Sequence, residues 1–301
     1  MDLWISLTIA AAAVQSVRTS LQKHLTEDLT VLGATFSRFL FGLPMILVGL
    51  AGLLSLTGTS LPSPNGTFVA YAWGGGFTQL LGNALLLHLL GLSTFTVGTT
   101  YTKTEVIQTV AVSYLVLDDR VETSGLLGIL IAFAGVVLMA TARSGLSIAS
   151  FVSTLRHKPA LFGLVVGGLY AVAAVFYRAA ALSLSDGDFI LRALTTLAWV
   201  TTAQAVALAF WLRFRSPGVI SRVTKSWTYG LGVGFTGIVA SACWYTAFTL
   251  QNASYVMAVG QVELIFVYIA SRFVFKERMV LWEVLGVLIT ALGILVVMLS
   301  G

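Results

Sequence analysis

Two glutamates stand where hydrocarbon would favour them least: Glu105 in TYTKTEVIQTV (100–110) and Glu263 in VGQVELIFVY (259–268), each inside an apolar run. A carboxylate at bilayer mid-depth costs about 3 kcal/mol or more unless it is protonated, paired or open to water. Such a residue is therefore either a structural ion-pair partner or a group that handles protons or a polar substrate. On a regular helix the neighbours of Glu105 are Tyr101, Thr102, Gln108 and Thr109, a polar stripe facing one way, whereas those of Glu263 are Val259, Gly260, Phe266 and Val267. Lys103, two residues from Glu105, should point elsewhere, and Arg272 is about half a turn away in angle from Glu263. Arg18, Arg38, Arg178, Arg192 and Arg272 all fall within or beside apolar runs and supply ample ion-pair partners.

Composition sets the surroundings of these residues. The chain has 301 residues, 57% hydrophobic and 10% charged, with a mean hydropathy of +0.94; a soluble domain carries about 25% charged residues. A bilayer is the expected solvent. The one cysteine, Cys243, and the histidines at 24, 88 and 157 form no disulfide framework or ligand cluster, so no metal or other cofactor is expected. A pI near 9.5 reflects basic residues in short loops, which fits anionic lipid and topology signals, not nucleic acid.

Crossing roughly 30 Å of hydrocarbon takes about 20 helical residues. Apolar runs of that size lie at about 3–22, 31–56, 66–91, 95–117, 124–142, 159–183, 188–212, 228–249, 252–274 and 280–300. The expectation is an all-α membrane protein of ten transmembrane helices, because helices satisfy their own backbone in lipid. The first run, with Gln15, Arg18 and Gln22, reads as a retained helix rather than a signal peptide.

The chain repeats itself. At a shift of 158, YAWGGGFT (71–78) falls on YGLGVGFT (229–236), and the same register places Glu105 on Glu263, Ser113 on Ser271, Arg120 on Arg278, Gly128 on Gly286 and Gly135 on Gly293. FSRFLF around Arg38 resembles ILRALT around Arg192 at a shift of 154. Two copies of five helices follow, 1–143 and 159–301 joined by a linker at 144–158. An odd number per copy inverts the second, giving inverted repeats with a site near the bilayer midplane.

Further polar and aromatic candidates are Gln79 and Asn83 on the third run, with His88 beyond them, and Trp244, Tyr245 and Tyr177 as rings for a cavity wall. Arg18 shares a stripe with Gln15, Thr19 and Gln22. Ordinary helix packing accounts for rings and amides as readily as ligand contact does. The glycines at 74–76, 128, 135, 232, 234, 286 and 293 allow close helix approach, and none lies in a nucleotide-binding loop. Asp118-Asp119 beside Arg120 reads as a solvated cap, so the chain is not expected to be an enzyme.

The segment AFTLQNASYVMAVGQVELIFVYIASRFVFKERMVLWEVLGVLITALGILVV (247–297) resembles the end of an EamA-type repeat of the drug/metabolite transporter superfamily: Ala247-Phe248, Asn252 to Ser254, Lys276-Glu277-Arg278 at the turn, then Gly286 and Gly293. The first half has the same outline, with Asp118-Asp119-Arg120 at its turn. The resemblance implies a two-copy transporter. Family repeats commonly carry a proline where Val106 and Leu264 stand, so a kink there is not expected. In role, the paired glutamates are similar to the membrane-embedded glutamate of small multidrug-resistance proteins, which protons and cationic drugs share.

The functional expectation is a multi-pass cell-membrane protein (the inner membrane in a Gram-negative bacterium) that exports small organic metabolites or drug-like cations by alternating access. Protons or a counter-substrate would drive it, as no ATPase motif is present, and its partners would be substrate and lipid. Glu105 and Glu263 would carry protons or substrate beside Tyr101, Gln108, Arg18, Gln79, Asn83, Trp244, Tyr245 and Tyr177. The alternative is an antiporter of an anionic metabolite such as a sugar phosphate, or a lipid-headgroup flippase, in which Arg18, Arg38, Lys103, Arg178 and Arg192 bind phosphate. Basic residues at 23, 143, 156, 158, 213, 215, 222, 225, 276 and 278 occupy the odd connections and only Arg120 an even one, which puts both termini outside; the resemblance implies both inside. Tags at either end should be accessible to an impermeant reagent in intact cells; protected tags would reverse the assignment.

Overall fold

The structure is a computed structural model that describes residues 2–90, 100–144, 158–273 and 280–300. Its helices are α1 (Leu3–Asp28), α2 (Val31–Thr57), α3 (Gly66–Leu90), α4 (Glu105–Leu117), α5 (Thr123–Ser144), α6 (Lys158–Ser183), α7 (Phe189–Arg215), α8 (Val219–Lys225), α9 (Trp227–Leu250), α10 (Ala253–Gly260), α11 (Val262–Phe273) and α12 (Leu281–Ser300). Among the described residues there is no strand. Six helices, namely α2, α5, α6, α7, α9 and α12, are long and apolar enough to cross a membrane by length and composition. The others include α1 and α3, which are long, and the short apolar pieces of the expected fourth and ninth spans. The expected linker at 144–158 lies almost wholly outside the described residues, and the connection at 213–227 contains α8.

Helix ends are closed by side chains and by left-handed residues, which satisfy backbone groups that a helix leaves unpaired at its termini. Thr30 accepts from Gly33 N–H at 3.2 Å, Asp188 from Leu191 N–H at 2.8 Å and Asn252 from Ser254 N–H at 2.9 Å. At the far ends, Gly58 (φ 65°) closes α2 and Asp118 (φ 52°) closes α4. Asp118 is exposed, with Arg120 Nε 3.6 Å from its carboxylate. The cap expected of this turn is what the geometry provides.

Two compact units divide the chain, and each draws on both sequence halves. The first comprises residues 1–5, 78–175 and 251–301. Its centre is the packing of α5 on α12, where small residues bring backbones together. A Cβ added to Gly128 would lie 2.8 Å from Val297 N and 3.0 Å from Gly293 O, and one on Gly286 would lie 2.9 Å from Gly135 O. Gly128 thus meets Gly293, and Gly135 meets Gly286. Contacts that ascend one helix descend the other, so the final helices of the two sequence copies run antiparallel.

The second unit comprises residues 6–77 and 176–250. Here α2 packs on α9 and α7, again antiparallel in the first case: a Cβ on Gly234 would strike Phe41 and Gly42, and one on Gly237 the Arg38 side chain. Large apolar side chains such as Val48, Phe210, Phe214, Leu115 and Leu299 are exposed, while Thr195, Thr196, Thr201 and Gln204 are buried. This distribution suits a lipid-facing exterior around helices whose close approaches are made by small and polar residues.

Because the backbone atoms Val297 N and Gly293 O, and not only the Val297 side chain, face Gly128, Gly128→Ala should cost about 1–3 kcal/mol. A lowered thermal unfolding midpoint in detergent checks this. Gly49→Ala, where nothing lies within 4 Å, should leave the midpoint unchanged or raised.

Candidate functional site at two helix interruptions

The glutamates sit at breaks in their helices rather than in the middle of regular ones. Residues 100–102 are helical, 103–104 form a turn, and α4 begins at Glu105. The turn is made of i→i−3 bonds, Lys103 N–H to Thr100 O (3.3 Å) and Thr104 N–H to Tyr101 O (3.2 Å), before Gln108 N–H returns to the i−4 pattern on Thr104 O (2.9 Å). In the second copy α10 ends at Gly260 and α11 starts at Val262, with Gln261 N–H on Ala258 O (3.2 Å) and Leu264 N–H on Gln261 O (3.0 Å). The repeat shift of 158 carries Lys103 onto Gln261 and Thr104 onto Val262, so the two interruptions are register mates. The absence of proline at Val106 and Leu264 does not restore a straight helix. In the first copy the Thr104 hydroxyl donates to Tyr101 O at 2.6 Å and competes with the backbone for that carbonyl. In the second, Gly260 adjoins the break and lowers helix propensity.

The break changes what Glu105 meets. Lys103 does not point elsewhere: its Nζ lies 4.0 Å from Glu105 Oε1, with 32% and 14% of the two side chains exposed. The angular rule that separates residues two apart holds only for a continuous helix. The Gln261 amide lies within hydrogen-bonding reach of the Glu105 carboxylate, and Glu263 is close enough to interact with it electrostatically. Gln261 Oε1 is buried and takes part in no hydrogen bond among the described residues. Both glutamates fall in the first turn of a helix, where the N-terminal dipole favours negative charge. Among the described residues no arginine pairs with Glu105; the Arg272 side chain lies outside them.

Two glycines of α6 let it press against the first break. A Cβ on Gly167 would sit 2.9 Å from Thr102 O and 3.2 Å from Glu105 N, and one on Gly168 would meet Gln108 Oε1 at 2.7 Å. Gln108 Nε2 donates to Thr104 Oγ1 (2.7 Å) and to Leu164 O (3.2 Å), tying α4 to α6. Tyr101 is fully buried. Gln79 is partly buried on α3, and Asn83 accepts from the Tyr170 hydroxyl at 2.8 Å. Exposed His88 packs near Phe162.

The remaining expected residues belong to the second unit. Tyr177 and Tyr245 are stacked, 4.5 Å between centroids and 24° between planes. Trp244 Nε1 donates to Gln15 Oε1 at 3.1 Å, and Gln22 Nε2 to Thr35 Oγ1 at 3.3 Å, so the stripe holding Arg18 links α1 to α9 and α2. Arg178 Nη1 donates to Phe248 O at 2.8 Å, neutralising the carbonyl end of α9. Residue-by-residue reading missed Gln261, Thr104 and Gly167. Gln261 had a signal, since the repeat register sets it opposite Lys103; Gly167 had none.

These features define a polytopic membrane protein in which the two glutamates and the polar groups around them lie where helices are interrupted. The chain belongs to the EamA-like transporter family, whose model matches twice, over residues 2–141 and 157–299. A solved crystal structure shares the fold at a TM-score of 0.74 over 99% of this chain and 98% of the other, with 15% identity. No curated protein matches by sequence.

Gly167→Ala should displace the turn at Thr102 and Glu105, cutting transport severalfold and costing about 1–3 kcal/mol of stability. Initial rates beside thermal melts check both.

Proposed function

We propose that the protein is a secondary transporter that exchanges protons for a small organic solute, expelling the solute as protons move inward. Glu105 is the proton-carrying group in this reading and Glu263 its partner. The observation that carries it is the Glu105 carboxylate at a helix break, with Lys103 at 4.0 Å, Gln261 and Glu263 beside it and no arginine among its described partners. A purely structural carboxylate gains most from a close, fully bonded cationic partner. A carboxylate whose lysine stands at the limit of ion-pair distance and is itself partly exposed can be relieved instead by taking up a proton or a cation. Broken helices also suit transporters, because their freed carbonyls and N–H groups can serve a polar ligand where regular helix offers none. Family membership supports transport as the activity, and the apolar exterior supports a multi-pass placement.

In proteoliposomes, Glu105→Gln should lose uptake driven by an imposed pH gradient while keeping solute exchange in the absence of a gradient. Gradient-driven transport equal to that of the unaltered protein would reject Glu105 as the coupling group.

A further inference from the structure

The second unit holds a guanidinium that the coupling reading does not use. Arg38 is in the second turn of α2, a helix apolar enough to span a bilayer, where an arginine is costly unless it is paired. Its Nη2 donates to Ser241 Oγ at 2.9 Å, its side chain lies along Gly237 with the added-Cβ position 2.9 Å from Cγ, and its guanidinium carbon is 5.1 Å from the Phe39 ring centroid. Among the described residues no carboxylate comes within ion-pair distance of it. Among the described residues its remaining nitrogens make no hydrogen bond, and they are not sealed off as buried orphans.

Ser241 departs from its neighbours on α9. The hydroxyls of Thr236, Thr246 and Thr249 all donate to the carbonyl four residues earlier. Ser241 accepts from Arg38, and its own proton has no acceptor among the described residues. Beside this pair stand the stacked rings of Tyr177 and Tyr245, both buried and within electrostatic reach of the guanidinium. Tyr177 is held by its bond to Gly75 O at 3.1 Å, and Gln204, bonded to Gly76 O at 3.2 Å, braces the same wall. The cluster is thus rich in donors, positively charged, and backed by rigid aromatic surface. What it lacks among the described residues is an acceptor with negative charge.

We propose that Arg38 and Ser241, against the Tyr177–Tyr245 wall, form a binding site for an oxyanion, the carboxylate or phosphate group of an organic molecule. The planar fork of arginine matches two oxygens of such a group, and the Ser241 hydroxyl supplies a third donor. The rings then accept the apolar part next to the acid. This site does not depend on Glu105 acting in proton coupling, and binding measured without a gradient keeps the two questions apart. The oxyanion has two sources, a dissolved solute or the phosphate of an anionic lipid.

The test is thermal stabilisation of the purified full chain by benzoate and phenylphosphonate, with neutral benzamide and cationic benzyltrimethylammonium as controls. A parallel arm uses nanodiscs of phosphatidylcholine with or without phosphatidylglycerol. Benzoate or phenylphosphonate should stabilise and benzamide should not, and Arg38→Gln should weaken apparent affinity about ten- to a hundredfold. Ser241→Ala removes only a hydroxyl and should fold normally while weakening affinity severalfold, so it carries the test if Arg38→Gln is unstable. Stabilisation by phosphatidylglycerol alone, lost in the same variants, would assign the site to lipid. Equal responses to benzoate and benzamide, or responses to acid and anionic lipid unchanged in both variants, would overturn the proposal.

Discussion

In hydrocarbon no water is available to a backbone N–H or C=O that leaves the helical pattern, so every interruption must bring its own partners. The rest of the site depends on how that requirement is met. At the first break the partners are i→i−3 bonds, the Thr104 hydroxyl and the Gln108 amide that ties the turn to α6. Gly167 and Gly168 let α6 come near enough for this to work. With the break held in place, Glu105 becomes the first residue of α4, near the positive end of a helix dipole, and Lys103 swings to its side of the turn.

The same economy of small residues governs the scaffold. Gly128 against Gly293 and Gly135 against Gly286 join the last helices of the two sequence copies face to face. The pairing is antiparallel, and each glycine meets not its own register mate but that of the other glycine. A mirrored sequence register thereby becomes a reciprocal seam. In the second unit Gly234 and Gly237 play a related part for α9 against α2, and the space left at Gly237 is what lets the Arg38 stem lie flat along the helix.

Chemistry differs between the units. The first carries carboxylates, a lysine and amides around two helix starts; the second carries guanidinium groups, hydroxyls and stacked rings. Arg38 and Arg178 illustrate how burial alone misleads, since both are arginines on apolar helices. Arg178 is spent on the carbonyl end of α9, which any helix terminus requires. Arg38 bonds a serine hydroxyl, and among the described residues no carboxylate pairs with it.

Much was readable from the chain alone. Hydropathy set the solvent, the register at 158 gave two copies and paired Glu105 with Glu263, and the glycine pattern marked where helices would touch. These are properties of composition and period, which local sequence carries in full. The missing proline invited a straight helix, because proline is the break signal that one residue announces by itself. The structure breaks the helix anyway through a threonine hydroxyl, a neighbouring glutamine and a glycine on another helix some sixty residues on. Only tertiary packing decides such a break, as it decides whether Lys103 faces Glu105 or whether Arg38 finds an acid, because each outcome rests on backbone and side chains far apart in sequence. The residue types were therefore set by the sequence; which of their charges meets a partner among the described residues was settled by the fold.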